Sequence, residues 1–135
     1  MQSTQTINNL KTYIAAEIQD SLLYTELAKI APTLDDRTLL LEFAADEQAH
    51  ADEFKHILRT ITGQYFNPVP ERIVINMPYR DILRDRVIDE SGDFRKYGNE
   101  YIEVPHSSPL KRAYYRARTD ENVHALRLLK MLSTE

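Results

Sequence analysis

A chain of 135 residues, 42% apolar and 28% charged, has the composition of one soluble globular domain with a real core. Its net charge of −4 argues against a nucleic-acid surface, and the absence of cysteine excludes disulfides, thiolate metal sites and cysteine nucleophiles. No apolar run approaches the roughly 18 residues that span a membrane, and residues 1–6 lack the basic and apolar regions of a signal peptide, so a cytoplasmic protein is expected.

Only three glycines and six prolines punctuate the sequence, and they leave four segments, near residues 4–31, 35–61, 79–103 and 108–133. In the first, Ile7, Leu10, Ile14, Glu17, Ser21, Tyr24 and Ala28 recur at alternating steps of three and four, until Pro32 ends the segment. The second repeats the spacing with Leu40, Phe43, Glu47, His50, Phe54, Ile57 and Ile61. A connection from about Thr62 to Met77 follows, marked by Gly63, Pro68 and Pro70; its β-branched run Ile73-Val74-Ile75 reads as an extended crossover along the bundle rather than a strand. The third segment places Leu83, Val87, Glu90, Phe94, Tyr97 and Tyr101 on one stripe, with Gly92 and Gly98 inside it, where close helix packing is the available explanation. After Pro105, Ser108 and Pro109 supply a cap and first-turn pair for the fourth, whose stripe is Leu110, Tyr114, Ala117, Glu121, His124, Leu128 and Met131. The 3-4 spacing keeps each stripe on one helical face, and an apolar face must be buried against another element. Two short links and one long one predict an all-α, ferritin-like four-helix bundle: two antiparallel hairpins joined by a long crossover, a single domain over residues 1–135.

The acids that interrupt these stripes carry the chemistry. Glu17, Glu47, His50, Glu90, Glu121 and His124 occupy core-facing positions, and an isolated buried carboxylate is strongly disfavoured. The stripes show no matching Lys or Arg, whereas a pair of divalent cations would balance four carboxylates. Glu-x-x-His puts both donors on one face, a turn apart. That spacing alone does not discriminate, because all four histidines have Glu three residues before them. Glu103 and His106 are split by Pro105, and Glu53 and His56 fall off the seam, so both pairs are expected on solvated faces. The clusters Lys111-Arg112 and Arg116-Ala117-Arg118 are read the same way.

An internal repeat selects the remaining six. Glu17 to Glu90, Asp20 to Asp93 and Tyr24 to Tyr97 are each 73 residues apart, while Glu47 to Glu121 and His50 to His124 are 74. Two hairpins therefore carry one constellation in the same order, and packing them about a pseudo-twofold axis would bring the six donors together.

A glutamate on helix one, Glu-x-x-His on helix two, a glutamate on helix three and Glu-x-x-His on helix four make a pattern that resembles the rubrerythrin-like branch of the ferritin-like superfamily. Glu17, Glu47 with His50, Glu90, and Glu121 with His124 meet it, and the stretches Glu17-to-Tyr24 and Asp46-Glu47-Gln48-Ala49-His50-Ala51 are particularly similar. The resemblance implies a non-haem di-iron site that reacts with hydrogen peroxide or dioxygen, with Glu47 and Glu121 bridging, Glu17 and Glu90 terminal, and the two histidines completing the metal spheres. Rubrerythrins also carry a cysteine-bound iron domain that feeds electrons inward; with no cysteine present, a separate electron-donor protein is expected. Where the family has a further glutamate three residues after the helix-three ligand, this chain has Asp93. It is expected to accept a hydrogen bond from a ligating histidine, with Asp20 as its repeat mate, or else to approach the metal. Tyr24 and Tyr97 are expected to cover the site as core aromatics, or to donate to its ligands or quench a radical. Other readings are a ferroxidase or iron-handling protein, a di-manganese catalase-like protein, and a metal-free structural bundle. A homodimer through an outer helix face is expected.

Overall fold

The structure, a computed structural model, describes residues 3–134 and consists there of α1 (Thr4–Ile30), α2 (Leu34–Thr62), α3 (Tyr79–Glu103) and α4 (Pro109–Ser133). The boundaries follow local chemistry. Ser3 caps α1 by accepting from the Thr6 amide, and Thr33 caps α2 by accepting from the Asp36 amide, with Asp35 and Asp36 placed to favour the helix dipole. Gly63, at φ 73°, closes α2 in the left-handed conformation that glycine adopts without strain. Ser108 accepts from the Leu110 amide, and Pro109 opens α4. At the end of α3, Lys111 Nζ donates to the Tyr101 carbonyl at 2.6 Å, so one of the expected solvated cations caps a helix instead.

The helices form two antiparallel hairpins, α1 with α2 and α3 with α4, and α2 packs on α4 to join them. The crossover from residue 63 to 78 forms no helix or strand among the described residues. The side-chain amide of Gln19 grips its backbone, donating to the Glu71 carbonyl at 3.0 Å and accepting from the Glu71 amide at 2.9 Å. Phe66 and Ile75 then press against two different parts of the core.

That core has two halves. Leu10, Ile14, Phe54, Tyr97 and Tyr114 build one, and Tyr24, Leu27, Leu40, Phe43, Leu83 and Leu128 the other. Along every helix the acids of the stripe lie between residues of these two clusters. Apolar packing therefore seals the polar layer from both ends and fixes the register that brings it together.

Close packing does not explain Gly92 and Gly98. A Cβ at either position would meet nothing within 4 Å, and neither glycine has positive φ. Each therefore only loosens the unfolded chain and weakens the helix. We expect Gly92→Ala and Gly98→Ala each to raise stability by about 0.5–1 kcal/mol in urea unfolding, since both positions accept a methyl group; a loss of stability in either would contradict this.

Candidate metal centre

Glu17 comes from α1, Glu47 and His50 from α2, Glu90 from α3, and Glu121 and His124 from α4, all at 2% exposure or less. They form two overlapping donor groups, Glu17/Glu47/His50/Glu121 and Glu47/Glu90/Glu121/His124, each with its ligand atoms within 4.8 Å of one another. Glu47 and Glu121 belong to both. Glu53 and His56, like Glu103 and His106, lie outside these groups, and both histidines are exposed.

The two imidazoles are held alike at their outer nitrogens. His50 Nε2–H donates to Asp120 at 2.7 Å, and its Nδ1 lies 2.6 Å from Glu17 Oε1 and 3.4 Å from Glu47. His124 Nε2–H donates to Asp46 at 2.8 Å, while Nδ1 faces Glu47, Glu90 and Glu121 at 3.5–3.6 Å. An aspartate on the outer nitrogen fixes each ring with its inner nitrogen turned toward the acids, where it can bind a metal once its proton is released. The partners are Asp46 and Asp120, not the expected Asp20 and Asp93. Those two turn to cations instead: Asp20 to Arg86 at 3.3 Å and Asp93 to Lys96 at 3.2 Å. Together with Glu17 they form a third acidic group on the partly exposed side of the layer.

A second difference concerns charge. Arg86, 5% exposed, lies inside the network and donates to Glu90 at 3.1 Å and to the Tyr24 hydroxyl at 3.1 Å. The expectation that no base accompanies the buried acids is therefore wrong. Residue 86 lies three after Leu83 and four before Glu90, as compatible with the stripe as Val87. The structure buries Arg86 and leaves Val87 half-buried, because the guanidinium finds four acceptors there. Tyr24 donates to Glu90 at 2.6 Å, whereas the buried Tyr97 hydroxyl has no partner.

One guanidinium does not satisfy the layer. Glu17 Oε2, Glu90 Oε2, both oxygens of Glu47, both of Glu121, and His124 Nδ1 are buried without hydrogen-bond partners. Orphans of this kind are rare in folded proteins and disfavour folding unless something else meets them. Divalent cations fit: the orphans are carboxylate oxygens and an imidazole nitrogen, pointed into one layer.

The electrostatics show the same frustration. Burial, then the Glu47 carboxylate, pushes Glu17 up to about 8, and burial with its neighbouring acids holds Glu121 well above the carboxylate range. Burial also works against Glu90, but the His124 ring, Arg86 and the Tyr24 hydroxyl outweigh it and lower its pKa. Burial opposes protonation of the histidines, yet the Asp120 and Glu17 hydrogen bonds carry His50 to about 12, and Asp46 with the nearby Glu90 carries His124 to about 9.

A stability trend follows. Glu17 and His124 both have raised values, so their contributions are complete below the ordinary 4.5 and 6.5 and are lost as pH rises through about 8 and about 9. Glu90, lowered, loses its contribution only on acidification below the ordinary carboxylate range. The melting temperature of the metal-free protein should therefore fall steadily between about pH 5 and about pH 9, and a flat or rising profile in scanning calorimetry would contradict this.

The rubrerythrin family model matches residues 8–77, just over half of the chain. The match spans α1 from residue 8, α2 and most of the crossover, with Glu17, Glu47 and His50; the second hairpin, outside it, carries the 73- and 74-residue repeat of the same positions. No curated protein and no solved structure is a significant match. With a family match of this extent and a buried carboxylate–histidine layer suited to two metal ions, the chain belongs to the rubrerythrin family.

Proposed function

We propose that residues 1–135 form one di-iron domain that reduces hydrogen peroxide, or dioxygen, with electrons from a separate donor protein. The observation that carries this reading is the pair of donor groups sharing Glu47 and Glu121, with their buried, partnerless oxygens. When bound, two ferrous ions would supply the two electrons that, with two protons, convert one peroxide molecule to two waters.

The chain's own residues prepare that chemistry. Glu47 and Glu121 stand between the donor groups and would bridge; Glu17 and Glu90 would hold one position each, with His50 and His124 alongside. Asp120 and Asp46 keep each imidazole turned inward. Phe43, its ring 4.4 Å from that of His124, walls one end of the layer, and Tyr97, stacked with Tyr114, walls the other, keeping bulk water from the acids. The unpartnered Tyr97 hydroxyl is the available buried O–H donor toward an oxygen atom reacting in the layer. Tyr24 spends its own proton on Glu90, steadying that carboxylate.

Mixed nitrogen and oxygen donors suit iron, and with no cysteine in this chain to hold an electron-feeding iron, the electrons would come from a separate donor. The test is metal content by mass spectrometry after anaerobic Fe²⁺ loading, followed by stopped-flow oxidation. About two irons per chain are expected, lost in Glu47→Ala/Glu121→Ala, with one peroxide oxidising both ions faster than dioxygen does. Loading below one ion per chain would overturn the site; rapid oxidation by dioxygen with a growing ferric mineral would favour a ferroxidase.

A further inference from the structure

The repeat that builds the two halves of the centre does not give them the same neighbours. The residue 73 positions before Arg86 is Tyr13. On the α3 side, Arg86 Nη2 donates to Glu90 at 3.1 Å and Nε donates to Tyr24 Oη, which itself donates to Glu90 at 2.6 Å. Asp20 and Asp89 complete the guanidinium's partners at 3.3 and 3.1 Å. On the α1 side, Tyr97 holds the place of Tyr24 and its hydroxyl has no hydrogen-bond partner, while Glu17 meets the His50 ring and no guanidinium. Lys96, on that side, pairs with Asp93 rather than with Glu17 and lies over the Tyr13 and Tyr97 rings. Its side chain is 32% exposed, against 6% for Arg86, so its charge is better screened. One terminal carboxylate is committed to a buried guanidinium, which cannot itself bind metal, and the other only to the imidazole of its own donor group.

We propose that Arg86 makes the two metal positions unequal, so that the Glu17/His50 position fills first and the Glu90/His124 position is the weaker one. This rests on the reading of the centre as a two-metal site. A buried guanidinium one carboxylate away raises the local positive potential and shares Oε1 of Glu90, so an arriving dication meets both repulsion and competition for that oxygen. The same side chain keeps the layer tolerable before it is filled, because it neutralises one of four buried acids. Filling does not orphan it, since Asp20 and Asp89 remain within reach. Arg86 thus acts through Glu90, as a positioning residue that gives an otherwise twofold-symmetric centre an order of loading.

The probe is Co²⁺, titrated anaerobically into the metal-free full chain by calorimetry and by its visible d–d absorption, with circular dichroism to confirm folding. The wild type should bind in two steps separated by about tenfold or more, with His124→Ala removing the weaker step and His50→Ala the tighter. Arg86→Gln should tighten the weaker step until the two nearly merge, whereas Arg86→Lys, which keeps the charge, should preserve most of the separation. Should Arg86→Gln fail to fold, Tyr24→Phe removes the hydroxyl that bridges Arg86 Nε and Glu90 but leaves the direct Nη2 bond, and should narrow the gap in the same sense by a smaller amount. Two equal steps in the wild type, an unchanged gap in folded Arg86→Gln, or loss of the weaker step in His50→Ala would overturn the proposal and leave the two-metal reading intact. Absence of any Co²⁺ binding would overturn both.

Discussion

Everything in this bundle is arranged around the problem of keeping four carboxylates out of water. Glu17, Glu47, Glu90 and Glu121 lie at 0% exposure, each on a different helix, in a layer with apolar clusters on both sides. Such a layer is expensive unless the acids are protonated, paired or bound to cations. The metal-free chain uses the first two devices: raised pKa values at Glu17 and Glu121, two imidazoles, and one guanidinium. The oxygens left over are the ones that metal ions would take. The aromatic walls of Phe43, Tyr97 and Tyr114 and the crossover pinned by Gln19 serve that layer by closing it and by fixing how the hairpins meet.

The bundle and its six central residues were legible because burial leaves a mark that survives without coordinates. A glutamate in step with Leu10, Ile14 and Tyr24 announces that it faces inward, and the 73- and 74-residue repeat separates Glu47/His50 and Glu121/His124 from two pairs with identical spacing. What spacing cannot supply is distance between helices. Asp46 and Asp120 obey the same 74-residue repeat, yet each reaches the histidine of the opposite Glu-x-x-His helix, a crossing visible only in three dimensions. In the sequence Asp93 is favoured because it stands where the resembled family has a further glutamate, and Asp20 as its repeat mate; the packing brings Arg86 to Asp20, and Lys96, one turn along α3, takes Asp93.

Arg86 shows how an apolar stripe can hide a charge. Val87 and Arg86 fit the interval between Leu83 and Glu90 equally well, and hydrophobicity alone favours the valine. The long side chain reverses that preference, because its head can satisfy Glu90, Tyr24, Asp20 and Asp89 at once while its stem packs in the core. The glycines of α3 mark the opposite limit: a residue that normally signals close approach is here bordered by open space. A near-symmetric pair of hairpins thus acquires an asymmetric centre where the repeat departs from itself, above all at Arg86 against Tyr13.

The central claim is that these six side chains enclose two metal ions between shared carboxylates. Anomalous diffraction at the iron edge from crystals of the iron-loaded protein tests it directly. The account predicts two peaks about 3.5–4 Å apart, one beside Nδ1 of His50 and one beside Nδ1 of His124, with Glu47 and Glu121 reaching both. A single peak, or iron held only at Asp20 and Asp93, would contradict it.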